Sequence, residues 1–406
     1  MSSELQPPFR ADVVGSYLRP QYLHQARRDF AEGKIDMMGL KAVEDRAITE
    51  LVAYQKQAGL KVITDGEFRR SWWHLDFMWG LQGVEKVAIE EGYSFAAMKT
   101  RAESARLSNK ISGENHPFVE HFKFLLNLAD DSVVPRMTIP APAQFLKELQ
   151  RPVNAESTKA LYPDEEELLS DIAAAYQTVI SDLYAAGCRS LQLDDCTWGM
   201  LTDPEVAKKA AEAEHESACD CHGTGAHEAF DHAGSIAVLK EKLAKVNNAA
   251  IAKAPDDLVL GTHVCRGNYR STWSASGGYE PVADVFLGKQ NFDAYYLEFD
   301  TDRAGDFSPL RFLSKGKKVV LGLVSSKVPE LEDAAVIEQR IREASQYVPL
   351  EDIYLSTQCG FASTEEGNAL SESQQWAKIA LVKSIAEKVW GTVANECVKV
   401  AEEETA

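Results

Sequence analysis

The sequence lacks the features that mark membrane, secreted and nucleic-acid-binding proteins. Its 406 residues contain no run of 18 apolar residues, and the first residues have neither the basic nor the apolar segment of a signal peptide. Basic residues are also few, since 43 Lys and Arg face 62 Asp and Glu. The resulting net charge of −19 would repel phosphate backbones and anionic membranes. We therefore expect a cytoplasmic protein that binds neither nucleic acid nor membranes.

Cysteine is scarce, and the chain has no Gly/Ser-rich or Pro-rich linker. Seven cysteines, an odd number spread over a long chain, argue against a disulfide framework and favour reduced thiols, some of them on a metal. No internal repeat of 20–50 residues is found either. Because nothing marks a boundary, we expect a single domain over residues 1–406, with long polar insertions at 83–130 and 201–232.

What the chain does have is an alternation of short β-type runs and amphipathic helical stretches. Helices are predicted at 40–58, 163–186, 331–347 and 371–389, each with typical start or stop residues. This pattern predicts the α/β class and a TIM (β/α)8 barrel with long loop insertions on its C-terminal face. The eight predicted strands are 11–15, 60–64, 133–139, 189–193, 257–264, 293–298, 318–324 and 352–357.

Reactive side chains should then cluster where the strands end, because barrel chemistry is placed on the loops that follow the strands. Residues that zinc binds well lie at the ends of three of the runs, namely His263, Cys265, Glu298 and Cys359. Alternation along a strand puts His263 and Cys265 on one face, so both can reach one ion. The alternative is a buried histidine, a surface carboxylate and two plain thiols. On spacing alone these two interpretations have equal weight.

A second group of candidate ligands lies within the polar stretch 212–232. Its Cys-x-Cys spacing is short for a zinc knuckle, and the pattern predicts no regular element around it, so a solvated loop is favoured over a metal site. The group comprises Glu212, Glu214, His215, Cys219, Cys221, His222, His227 and His232.

Other residues at the predicted strand ends have two interpretations each. Glu67 and Asp194 either hold an ammonium group or act in proton transfer, or are a helix cap and an ion-pair member. Gly15 and Ser16 either bind a carboxylate or form a turn, and the turn is favoured. Two further sets are interpreted as loop packing and as solvated arginines rather than as ligand contacts: Trp72, Trp73, His74, Phe77 and Trp79, and Arg69, Arg70, Arg266 and Arg270.

With these motifs, the chain resembles the cobalamin-independent methionine synthase family, and within it the short, single-barrel proteins. The resemblance rests on the segments 9–16, 64–70, 192–195 and 357–360 and extends over nearly the whole chain. It implies that His263, Cys265, Glu298 and Cys359 bind zinc. It also implies that Glu67 and Asp194 hold the amino group of homocysteine and that Val14, Gly15 and Ser16 hold its carboxylate.

The sequence departs from the family at positions that concern the methyl donor. The family's proton-donating histidine is missing from 322–327, and no histidine follows His263. The family's folate-binding glutamate is absent from 196–200, and its folate-stacking tryptophan is absent from 140–146.

The resemblance therefore implies a zinc-dependent S-methyltransferase that acts on a small thiol such as homocysteine, with a 5-methyltetrahydrofolate as one candidate donor. Three alternatives stay open. They are zinc-dependent alkyl transfer to another thiol or from a non-folate donor, a non-catalytic zinc- or thiol-binding barrel, and a metal-free lyase or decarboxylase that uses Glu67 and Asp194.

Overall fold

The centre of the molecule is a six-stranded parallel sheet with the strand order β10-β9-β8-β7-β6-β5. The structure is a computed structural model and describes residues 5–218 and 232–391. Five of the predicted runs become strands of this sheet nearly as expected, and the third supplies a sixth, which confirms the α/β class. The sheet strands are β5 (Met137–Pro140), β6 (Ser190–Asp194), β7 (Val259–Val264), β8 (Ala294–Glu298), β9 (Lys318–Val324) and β10 (Ile353–Thr357).

The first two predicted runs are much shorter than expected, so the continuous sheet has six strands where eight were predicted. Of run 60–64 only β1 (Val62–Ile63) remains, paired in parallel with β4 (Val134–Pro135). Run 11–15 makes isolated contacts, including a parallel bridge between Ala11 and Leu355. The Asp12 carboxylate accepts hydrogen bonds from the backbone N–H groups of Phe9 and Val13, which removes both donors from a regular ladder.

The helices pack around the sheet, and α7 begins at its predicted start signal, Asp164. Asp36 caps one helix, Asp164 another, and Ser371 forms a capping box with Gln374. The helices are α1 (Gln21–Ala31), α2 (Met37–Gln57), α3 (Leu75–Met78), α4 (Phe118–Leu126), α5 (Pro142–Leu149), α6 (Pro152–Leu161), α7 (Glu165–Ala185), α8 (Cys196–Met200), α9 (Pro204–Ala218), α10 (His232–Ile251), α11 (Glu280–Lys289), α12 (Ala334–Ala344) and α13 (Glu372–Trp390). Within the described ranges, none of them is long and apolar enough to cross a membrane.

The two predicted insertions contain regular structure. Segment 83–130 includes the antiparallel hairpin of β2 (Gln82–Ala88) and β3 (Glu103–Ser112), followed by α4. The expectation of a solvated loop over 212–232 is wrong for its first part, because α9 continues to Ala218. The buried residues Ala207 and Ala211 are four positions apart and so lie on one face of this helix, which the polar composition of the segment did not indicate. Cys219, Cys221, His222 and His227 lie outside the described residues.

A buried ion pair ties the N-terminal segment to the sheet near the amino ends of the strands. The Arg136 guanidinium donates to both carboxylate oxygens of Asp12, at 2.8 and 3.1 Å, and to the carbonyl of Val13 at 2.9 Å. Its charged carbon also lies 5.0 Å from the centre of the Tyr296 ring. Both ionic side chains are almost fully buried, so each depends on the other for compensation.

Candidate metal centre and substrate cavity

A cavity of about 310 Å³ opens at the carboxyl ends of the parallel strands. This is the side of a parallel α/β sheet where ligands generally bind. Most of its surface is apolar, and the polar groups are concentrated in two clusters. The residues from predicted strand ends that line it are Val14, Ser16, Glu67, Asp194, His263, Cys265, Cys359 and Gly360.

The first cluster consists of His263, Cys265 and Cys359, whose ligand atoms all lie within 4.8 Å of one another. His263 lies at the end of β7, Cys265 follows that strand, and Cys359 follows β10. All three side chains are buried. One imidazole and two thiols at this separation are a donor set that zinc prefers.

The orientation of His263 fits a metal ligand. Its Nδ1 lies 3.2 Å from the carbonyl oxygen of Tyr296, a contact in which the ring must donate a proton. Its Nε2 is buried and has no hydrogen-bond partner. A neutral imidazole with the proton on Nδ1 presents a free lone pair at Nε2, as histidine ligands of metals do.

The thiols of this cluster need a cation to be ionised. The hydrogen bond with Cys196 raises the pKa of Cys265, and the hydrogen bond with Cys265 raises the pKa of Cys359. Burial raises both further. Without a metal, both groups are therefore neutral near pH 7, whereas a bound divalent cation would hold them as thiolates.

Glu298, predicted as the fourth ligand, lies outside the three-residue group and does not line the cavity. It ends β8, where its Oε2 accepts a hydrogen bond from the backbone N–H of Arg266 at 2.8 Å and its Oε1 pairs with Arg303 at 2.5 Å. Burial opposes ionisation, but Lys327, Arg266 and Arg303 outweigh it and lower the pKa of Glu298. The carboxylate is charged and already satisfied by arginine.

Cys196 belongs to the site but was not predicted as a site residue. It is the first residue of α8, it lines the cavity, and its Sγ lies 3.1 Å from the Sγ of Cys265. The sequence could have indicated it, because Cys196 comes two residues after Asp194 and therefore shortly after the predicted strand 189–193.

The second cluster is acidic and begins with Glu67 in a tight turn. The Glu67 backbone is left-handed, with φ 62°, and its N–H donates to the Asp65 carboxylate at 2.9 Å while Arg19 donates to its carbonyl at 2.7 Å. The Glu67 Oε1 accepts from Arg70 at 3.2 Å and from Thr138 at 2.9 Å. The Oε2 is buried without a partner and so has a free acceptor site.

Asp194 is the last residue of β6 and the partner of Glu67 in this cluster. Its Oδ1 accepts a hydrogen bond from Gln192 at 2.8 Å. Burial, and then the nearby Glu67 charge, raises the pKa of Asp194 well above its usual range. Burial likewise raises the pKa of Glu67, against the opposing effect of Arg70 and Arg19. A cation bound between the two carboxyl groups would relieve this repulsion.

Gly15 and Ser16 join the N-terminal segment to the loop after β10. Gly15 does not line the cavity; its φ is 139°, and its carbonyl accepts from Thr64 at 2.6 Å. The Ser16 carbonyl accepts from the N–H of Phe361 at 2.9 Å, and its Oγ accepts from the N–H of Ala362 at 3.3 Å. Gly15 therefore lies at a bend, and Ser16 forms a bridge with Gly66 and also lines the cavity.

Part of the predicted aromatic patch lines the cavity, whereas most of the predicted solvated arginines are buried. Trp72, Trp73 and His74 line the cavity, joined there by Tyr93 from the hairpin connection, whereas Phe77 and Trp79 are not lining residues. Burial lowers the pKa of His74 to about 3, so its ring is neutral. The expectation of solvated arginines is wrong for three of the four, which are buried in pairs: Arg69 with Glu44 and Asp45, Arg70 with Glu67, and Arg266 with Tyr279.

Two comparisons with known proteins cover nearly the whole chain. It is 43% identical over 387 residues to the uncharacterized protein YxjH of Bacillus subtilis, an overlap of 94% of this chain and 95% of that one. A solved structure from Listeria monocytogenes, described as a putative vitamin-B12-independent methionine synthase, has 37% identity and a TM-score of 0.71 and covers 95% of this chain and 98% of the other. The chain belongs to the short methionine-synthase-like family.

More distant members carry an assigned function. The short methionine-synthase-like chain is 24% identical over 356 residues to the methionine synthase of Pyrococcus abyssi, which covers 87% of this chain and 86% of the relative. No family model matches the chain. The resemblance inferred from the strand-end motifs is thus confirmed by independent relatives of similar length.

Proposed function

We propose that this protein is a zinc-dependent S-methyltransferase that activates an amino-acid thiol, L-homocysteine, and forms methionine. The observation that carries the proposal is that one cavity holds a His/Cys/Cys group and a pair of buried carboxyl groups. The first suits a sulfur-binding metal and the second suits an ammonium group. The relationship to methionine synthases supports the same reaction.

His263, Cys265 and Cys359 are the residues that would hold zinc, with Glu298 as the fourth ligand that the family resemblance implies. When bound, zinc supplies Lewis acidity that keeps a substrate thiol deprotonated at neutral pH. Glu298 would have to exchange its contact with Arg303 to take that part. His263 is already oriented by Tyr296, which fixes its free Nε2 toward the thiols.

Glu67 and Asp194 would bind the substrate ammonium, since Glu67 has an unpartnered oxygen and both carboxyl groups face the cavity. Ser16, with the Gly15 segment before it, would bind the substrate carboxylate. Together these contacts would fix the amino acid at its polar end, and its thiol would lie toward the cysteine cluster.

The remaining wall of the cavity is largely apolar and would determine which methyl donor binds. Trp72, Trp73 and Tyr93 offer flat surfaces on which a pterin or another ring could stack. The loop at 322–327 contains no histidine that could protonate a leaving nitrogen. This observation favours the second candidate function, transfer of an alkyl group from a donor other than a folate.

We also propose that the fold is a closed eight-stranded barrel forming one domain over residues 1–406. Its support is the parallel bridge of Ala11 with Leu355, the bridge of Ser16 with Gly66, and the pairing of β1 with β4, which together connect the two edges of the six-stranded sheet. A ring of this kind would bring the segment 14–16 beside Cys359.

The test is zinc content and methionine formation, measured together on the full chain with L-homocysteine and a panel of methyl donors. We expect Cys359→Ser to lose zinc and methyl transfer together, because it removes one of the three clustered donors. Cys188→Ser is the matched control, since this thiol is buried elsewhere and bonds to the Ser190 carbonyl at 3.2 Å. An active, zinc-free Cys359→Ser protein would contradict the proposal.

A further inference from the structure

We propose that the Cys196 thiol is a resting ligand of the bound metal and occupies the coordination position on the cavity side, where an incoming substrate thiol has to bind. The proposal rests on the proposed zinc site and gives Cys196, in the resting state, the fourth position that the family resemblance assigns to Glu298. It makes the resting donor set three thiols and one imidazole, a common tetrahedral zinc environment.

The Cys196 sulfur lies close to the His/Cys/Cys group. The Sγ of Cys196 lies 3.1 Å from the Sγ of Cys265, which itself belongs to the His/Cys/Cys group. Two sulfurs on one tetrahedral zinc with bonds of ~2.3 Å are about 3.8 Å apart. Binding to the same ion would therefore move the Cys196 and Cys265 sulfurs apart by less than ~1 Å and bring Cys196 into the group of three, to which it does not now belong.

Backbone contacts hold the start of α8, and with it Cys196, in place. Asp195 caps α8 by accepting from the N–H of Thr197 at 3.0 Å, and its own N–H donates to the His263 carbonyl at 2.7 Å. A Cβ at Gly199 would lie 2.0 Å from the carbonyl oxygen of Cys265, so helix and loop touch at backbone distance. These contacts hold Cys196 against the metal group independently of the thiol–thiol contact.

The Glu298 carboxylate is engaged by groups other than the His/Cys/Cys group. Its two oxygens are engaged by the Arg266 N–H and by Arg303, and the side chain is absent from the cavity wall. Glu298 is thus held by arginine outside the cavity, whereas Cys196, the other candidate for the fourth ligand, lines the cavity wall.

The position gives Cys196 a role in substrate exchange. A substrate thiol would take the coordination position that Cys196 leaves, and its proton would pass to the departing Cys196 sulfur. One metal–sulfur bond would break and one would form, so the number of sulfur ligands and the charge of the centre would stay constant. Cys196 would then prevent water from occupying the position between turnovers.

The experiment is zinc X-ray absorption on the zinc-loaded full chain under reducing conditions, with and without L-homocysteine. We expect about three sulfur neighbours near ~2.3 Å in the wild type and in Cys188→Ser, and about two in Cys196→Ser. On adding homocysteine the count should stay at three in the wild type and rise from two to three in the variant. Homocysteine should also bind more tightly to Cys196→Ser, because no protein thiol has to be displaced.

Cys196→Ala, with Co²⁺ in place of zinc, gives a second readout. Its thiolate-to-metal absorption should be about one third weaker than in the wild type, whereas circular dichroism should show the same fold. Equal sulfur counts in the wild type and both Cys196 variants, with zinc bound, would overturn this inference and leave the proposed function standing. Absence of zinc from the wild-type protein would overturn both.

Discussion

The left-handed backbone at Glu67 shows how one residue places reactive chemistry. A non-glycine residue in this conformation costs about 1–2 kcal/mol, and such strain is concentrated at functional sites. Here Asp65 and Arg19 hold the turn from both sides, and the result is a carboxylate oxygen that faces the cavity without a partner. The strained backbone conformation of Glu67 is what directs this oxygen into the cavity.

Glu67→Gln should weaken homocysteine binding by roughly 10- to 100-fold at neutral pH, because a charge-assisted contact to the ammonium is worth about 1.5–3 kcal/mol. In the wild type, binding should weaken as the pH falls through the raised pKa of Glu67, since protonation removes the charge that holds the ammonium. Calorimetric titration at several pH values measures both effects.

The control ligand is 4-sulfanylbutanoate, which is homocysteine without its amino group. We expect its affinity to be the same for the wild type and Glu67→Gln. If Glu67→Gln weakened both ligands equally, the carboxylate would have no specific contact with the ammonium.

Single residues differ in how far the sequence could predict them. The positions of His263, Cys265 and Cys359 followed from their places after strands, because parallel strands end on one side of a sheet. Cys196 was missed because its contact depends on α8 packing directly on the Cys265 backbone at Gly199. The Arg303 contact of Glu298 depends on a loop conformation that no periodicity encodes.

At the scale of elements, the four predicted helices and the last five strands lie within a few residues of their predicted bounds because their hydrophobic periods are clear, whereas α10 was not predicted. The predicted helix 163–186 is observed as α7, Glu165–Ala185. The run 11–15 does not form the predicted strand because the Asp12 carboxylate accepts hydrogen bonds from the nearby backbone N–H of Phe9 and from Arg136. These contacts outweigh the β propensity of the run. Helix α9 was missed because its sequence is alanine-rich and charged.

The ion pair of Asp12 and Arg136 is the contact between elements that we expect to matter most for stability. Arg136→Met should lower the free energy of unfolding by about 3–5 kcal/mol, because it leaves a buried carboxylate without compensation. Urea denaturation followed by circular dichroism measures the change.

The double variant Asp12→Leu with Arg136→Met should lose less stability than Arg136→Met alone, since it removes both charges. Arg46→Met is the surface control, because the exposed pair of Arg46 and Glu50 on α2 is worth under about 1 kcal/mol. Equal losses in Arg136→Met and Arg46→Met would show that the buried pair has no special weight.

At the scale of the whole molecule, the metal should couple the site to global stability. A ligand that binds only the folded state stabilises it by about 4 kcal/mol at a thousandfold excess over its dissociation constant. A chelator should therefore lower the Tm of the zinc-loaded wild type. In calorimetric scans the same chelator should leave Cys359→Ser unchanged; a decrease there would point to a different metal site.

The residues of the site are distributed over most of the chain, so the site can form only after most of the chain has been synthesised. Ser16, His263 and Cys359 meet in one cavity although they are far apart in sequence. A nascent chain that has not yet emerged beyond residue 359 has at most two of the three clustered donors, even if its earlier strands have already paired. Metal uptake would therefore be a late event of biosynthesis, and a truncated product would be released without it.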